Sequence, residues 1–110
     1  MRNWMVGCAA GALLVAGLLH AQDKGKAGDA AKGKEVFDQC SVCHNADSEE
    51  TKVGPGLKGL FKHAKLASGK PVNEANVRAQ INDGGNGMPA YADQLSDQEK
   101  NDLIAYLKTL

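Results

Sequence analysis

"CSVCHN", residues 40–45, places two cysteines three apart with a histidine directly after the second. Zinc binding, dithiol redox chemistry and covalent haem attachment all use triplets of this kind. A closed zinc site wants four ligands. Cys40 and Cys43 supply two, His44 is awkwardly adjacent, and no second CxxC or HxxxH follows. Dithiol exchange wants its CxxC at a helix start beside a strand, whereas this motif closes a helical stretch and no strand pattern flanks it. C-x-x-C-H is also the signature of c-type haem attachment. Cysteines about one helical turn apart can each form a thioether with one of the haem's two vinyl groups. The residue that follows is then held beside the iron, where an imidazole can bind. Haem is the favoured reading, and zinc and thiol exchange stay open as lesser ones.

The start of the chain supports that choice. Residues 1–21, "MRNWMVGCAAGALLVAGLLHA", put Arg2 ahead of an apolar run from Trp4 to Leu19 and end on a small residue, Ala21. The run has 16 residues, short of the roughly 20 that span a bilayer as a helix. The pattern is that of a secretory signal peptide cleaved after Ala21, with an uncleaved membrane anchor as the alternative. Export implies a periplasmic location and an oxidising compartment, where free cysteines tend to pair; thioether formation would consume both thiols.

Beyond residue 21 the chain reads as a short lead-in and one domain. Residues 22–28, "QDKGKAG", are polar and glycine-rich, and a flexible lead-in is expected there. The domain should occupy residues 29–110. Asp29 can cap a helix over "AAKGKEVFDQC", in which Gly33 costs about 1 kcal/mol relative to alanine and so signals close backbone contact. Residues 45–72 show no sustained period and are punctuated by Gly54, Pro55, Gly56 and Gly59. So long a loop is unusual in a compact domain unless it wraps around something. "NEANVRAQINDGG" offers a short helix with Val77 and Ile81 on one face, stopped by Gly84 and Gly85. "GNGMPAY" reads as irregular. The last segment is the clearest helix: Ser96 and Glu99 form a capping box, and Leu103, Ile104 and Leu107 form an apolar stripe beside Tyr106. The expected class is all-α, with three to four short helices and long loops.

A six-coordinate haem needs a second axial ligand. Downstream of the leader the chain has one methionine, Met88, set between Gly87 and Pro89 in a stretch without apolar periodicity. An irregular segment projecting one thioether suits an iron ligand better than a core filler. His63, among lysines in "FKHAK", is the weaker rival. Pro55 lacks an N–H, and its carbonyl is free to accept from the ring of an iron-bound histidine, which fixes and tunes such a ligand.

"GKEVFDQCSVCHN", "VGPGLKGLF" and "GNGMPAYADQLSDQEKNDLIAYLK", in this order, resemble the class I c-type cytochromes, especially the short soluble bacterial monohaem proteins. The resemblance implies an all-α cytochrome c fold wrapped around one covalently bound haem c, with an N-terminal helix crossing a C-terminal one. Gly33 and Phe37 would meet Leu103 and Tyr106. Cys40 and Cys43 would carry the thioethers, His44 and Met88 the axial positions, and the Pro55 carbonyl would accept from His44. The sequence departs from many relatives in having no tryptophan beyond Trp4. Arg78 and several lysines are left as candidates for the haem propionates.

His/Met ligation closes both axial positions, so the expected activity is electron transfer between redox partners and not enzymatic turnover. A cytochrome subunit of a larger dehydrogenase or oxidase complex, tethered if the N-terminus is uncleaved, is the alternative. A sensor or enzyme that opens its iron by losing Met88 is the third reading. Residues 51–73 carry Lys52, Lys58, Lys62, Lys65 and Lys70 and no acid, whereas the segments on either side are net acidic. This loop could steer an acidic redox partner. Nucleic acid is not expected as a partner.

Overall fold

The computed structural model of the chain describes residues 27–110. The expected leader and most of the lead-in lie outside them. The described residues form three α-helices, α1 (Ala30–Phe37), α2 (Glu74–Asp83) and α3 (Asp97–Leu107), and one turn of 3-10 helix at Leu60–Lys62. Among the described residues there is no strand, only isolated bridges pairing Lys65 with Pro71 and Gly85 with Met88. None of these helices is long and apolar enough to cross a membrane. The expected all-α class, helix count and long central loop all hold.

Each helix starts where a side chain can take up its free N–H groups. Asp29 accepts from the N–H of Ala31 and Lys32, Asn73 from Asn76, and Ser96 from Glu99, whose carboxylate returns to the Ser96 N–H. The helix expected to run into Cys40 ends earlier, at Phe37. Beyond it the chain continues in tight turns, Cys40 N–H donating to Phe37 and Cys43 N–H to Cys40. The Ser41 hydroxyl takes the Asp38 carbonyl at 2.6 Å, competing with helical continuation.

The fold is held by the crossing of α1 on α3; α2 makes a slighter contact with α3. A Cβ on Gly33 would overlap the Asp102 carbonyl and approach the Tyr106 Cβ to 2.8 Å. The close approach inferred from this glycine is therefore real, but its nearest partners are Asp102 and Tyr106, not Leu103. One turn on, the rings of Phe37 and Tyr106 sit 5.4 Å apart, tilted by 51°. Gly28, at the end of the expected lead-in, packs against the Asn101 carbonyl. Asp102, buried, accepts from the Asp29 N–H at 2.8 Å and from the Gln98 amide at 2.9 Å. One carboxylate thus ties the start of α1 to the middle of α3. Phe37, Val77, Ile81, Leu95, Leu103, Ile104 and Leu107 form the core, each contributing about 1.5–3 kcal/mol by burial.

Candidate functional site

A cavity of about 450 Å³ opens beside this core, and Cys40, Cys43, His44 and Met88 all line it. That volume falls within the roughly 300–1,000 Å³ of ordinary ligand pockets. Its walls are mainly apolar, with Leu57, Leu60, Leu66, Ile81, Leu103 and Leu107 contributing.

The thiols and imidazole arrive together because the turns after α1 turn the backbone back on itself. His44 N–H donates to the Cys40 carbonyl at 3.0 Å, and Gly54 N–H donates to the Cys43 carbonyl at 2.7 Å. The second bond draws the central loop under the histidine. A Cβ on Gly54 would lie 2.5 Å from Cε1 of His44 and 2.9 Å from Nδ1, so only glycine lets the loop come this close. The loop then delivers Pro55, whose carbonyl lies 2.8 Å from His44 Nδ1. A carbonyl only accepts, so Nδ1 carries the proton and the neutral ring offers its lone pair at Nε2. Burial, and secondarily Cys43, raises the Cys40 thiol to about 11.

Met88 is brought to the same cavity by a device the sequence reading treated as irregular chain. Gly85 and Met88 exchange backbone hydrogen bonds at 2.9 and 3.0 Å, closing a two-residue turn on Asn86 and Gly87. From Gly84 to Gly87 four successive residues have positive φ, at 64°, 117°, 51° and 90°. Asn-Gly is the pair that supplies two such residues in a tight turn, and that signal was present in "GGNGM". Gln80 was missed outright. Its amide donates to the Gly84 carbonyl at 3.0 Å and to the Met88 sulfur at 3.7 Å. The signal was its place on α2, three residues after Val77 and beside Ile81 on the inward face.

The other candidates fall elsewhere. His63 is exposed, with Nε2 3.3 Å from both Glu49 and the Lys58 carbonyl, and does not line the cavity. Arg78 reaches the Asn101 side chain on α3 and is also absent from the cavity wall. Of the lysines in the central loop, all exposed, Lys65 lines the cavity. Lys52 donates to the Ser41 carbonyl at 2.8 Å, bracing the CxxCH turn. Among the described residues no group of three or more His, Cys, Asp or Glu side chains is placed to hold a metal ion by itself.

These residues fit a covalently held haem: two thiols, an oriented imidazole and a thioether on one cavity with apolar walls. Comparison with known proteins points the same way. The cytochrome c family model matches residues 30–110. Over 97 residues the chain is 36% identical to cytochrome c2 of Blastochloris viridis, a match covering 73% of this chain and 76% of that one. It is 38% identical over 80 residues to cytochrome c6 of Leptolyngbya boryana, covering 72% and 89% respectively. The solved structure of cytochrome c6 from the diatom Phaeodactylum tricornutum superposes with a TM-score of 0.60 at 26% identity, over 74% of this chain and 93% of the diatom protein.

Proposed function

The chain belongs to the cytochrome c family, and from that premise we propose that Cys40 and Cys43 anchor its haem c by thioethers while His44 and Met88 take the two axial positions. The protein is a monohaem electron carrier exchanging electrons with redox partners. Haem, when bound, supplies one-electron chemistry at an iron that alternates between the ferrous and ferric states.

The geometry supports these residue roles. The Pro55 carbonyl fixes the His44 ring and its tautomer. The Gln80 amide orients the Met88 thioether. The apolar walls exclude water, which disfavours the extra charge of the ferric state, and methionine ligation also raises the potential relative to a second histidine. With His44 and Met88 both holding the iron, no place would be left for a substrate, and the protein would act as a carrier without turnover. The observation that carries the reading is the gathering of Cys40, Cys43, His44 and Met88 on one cavity.

Two finer points belong to the same proposal. Residues 1–21 direct export to the periplasm. The exposed lysines of the central loop, with Lys65 on the cavity wall and the exposed Val42 and Val53 beside the CxxCH turn, form the surface on which an acidic redox partner docks. Electron transfer should then slow as salt is added; a rate indifferent to ionic strength would remove the steering role.

The deciding experiment is an absorption spectrum of the exported protein, oxidised and reduced, with a haem stain of the denatured protein. Haem that survives denaturation, with the weak far-red band of a methionine–iron bond that Met88→Ala abolishes, is the expected result. Covalent haem without that band would overturn the role of Met88. Absence of covalent haem from cells competent to attach it would overturn the whole reading.

A further inference from the structure

Lys100 is the charged residue least expected where it lies. It heads the apolar stripe of α3, in helical step with Leu103, Ile104 and Leu107, and is 5% exposed. A lysine is rarely so buried unless its ammonium has a partner. Here Nζ donates to the Ala92 carbonyl at 2.9 Å.

Ala92 lies four residues beyond Met88, in the segment between α2 and α3. That segment is fastened to α2 through backbone: Tyr91 N–H donates to the Ile81 carbonyl at 2.9 Å and Ala92 N–H to Asn82 at 3.3 Å. The Lys100 bond takes the Ala92 carbonyl, in the next peptide unit, and fastens it to α3. A hydrogen bond from a buried cation is among the stronger kind, and it adds a polar tie from this segment to α3 beside the apolar packing of Leu95 in the core.

We propose that Lys100 is a positioning residue for the sixth ligand: by clamping the Ala92 carbonyl to α3 it holds the Met88 segment closed. The inference rests on the proposed ligation of the iron by Met88. Loss of the clamp does not require loss of the fold. Methionine in place of Lys100 has similar length and sheds the desolvation of a buried charge, which offsets the cost of the Ala92 carbonyl left without its donor. The clamp and the fold therefore respond differently to one substitution.

The test uses the haem-loaded protein and exogenous imidazole, which binds the ferric iron only when the methionine has left. Lys100→Met should bind imidazole at least about tenfold more tightly than wild type, the scale set by losing one charge-assisted hydrogen bond. Asp29→Ala, which removes the cap contacts to Ala31 and Lys32 but neither partner of the Lys100–Ala92 bond and lowers overall stability by about 1 kcal/mol, should bind imidazole as wild type does. Unchanged affinity in Lys100→Met, or equal tightening in Asp29→Ala, overturns the proposal. Should Lys100→Met fail to accumulate, Lys100→Leu carries the same expectation. A wild-type protein with no far-red methionine band sinks the Met88 reading itself, an outcome distinct from a band that is present and indifferent to Lys100.

Discussion

His44 Nδ1 and the Pro55 carbonyl oxygen meet at 2.8 Å across eleven residues, and what permits the meeting is the glycine between them and the motif. The acceptor is backbone, so Pro55→Ala leaves it in place. Gly54→Ala puts a methyl within 2.5 Å of the ring carbon and must push either the ring or the loop away. Gly54→Ala is expected to shift the reduction potential and the histidine ring-proton resonances of the reduced protein, with Pro55→Ala close to wild type. Equal effects from both would mean that proline rigidity, not the carbonyl, matters.

Gln80→Leu removes the amide that donates to the Met88 sulfur. The positive end of that dipole faces the ligand and disfavours the ferric charge, so its loss should lower the potential. A net hydrogen-bond contribution of about 0.5–1.5 kcal/mol corresponds to roughly 20–65 mV for a one-electron couple. Voltammetry of the two proteins checks both sign and size; a rise would show that the amide acts through packing.

Gly33→Ala sets two effects against each other. Alanine gains about 1 kcal/mol of helix propensity, and overpacking against the Asp102 carbonyl and Tyr106 costs about 1–3 kcal/mol. The overlap is with backbone, which cannot rotate aside, so the variant should unfold at lower denaturant concentration. A stability equal to or above wild type would show that α1 slides on α3 without penalty.

Burial, with smaller contributions from Cys40 and Cys43, raises the Tyr91 phenol above its ordinary value of 10.0. Once the thiols are thioethers, burial remains. The unfolded chain then ionises at lower pH than the folded one, so this contribution to stability is complete below pH 10.0 and is lost as pH climbs through the folded value. As pH rises through and beyond 10.0 the wild type should lose more stability than Tyr91→Phe in denaturant titrations. Parallel losses would place the tyrosine in an unperturbed setting.

Much of the fold was written in local patterns. The caps at Asp29 and Ser96, the inward faces of α2 and α3, the close approach at Gly33 and the meeting of Pro55 with His44 all follow from spacing and residue chemistry over short stretches. The features that were not read are those that local pattern misstates. Lys100 sits at a core position, against the usual exposure of lysine, because its acceptor comes from another segment. Asp102 reads as a solvated helix acid, yet it holds an N–H 73 residues away. Gln80 looks like a polar spacer until the Asn86–Gly87 turn folds Met88 back toward α2. Each pairs a helix side chain with a group outside its own helix, eight residues away for Gln80 and Lys100 and 73 for Asp102, and periodicity names no such partner.

The crossing of α1 on α3 unites the first helix with the last, and this orders the protein's biogenesis. A chain emerging N-terminus first presents Cys40 and Cys43 before residues 97–107, which help to wall the cavity those cysteines line, have been made. In the folded chain, burial first and Cys43 second push the Cys40 thiol up to about 11, so its thiolate is scarce there. The cavity that holds the cysteines is therefore walled only when both ends of the domain are present, Leu103 and Leu107 supplying its far side.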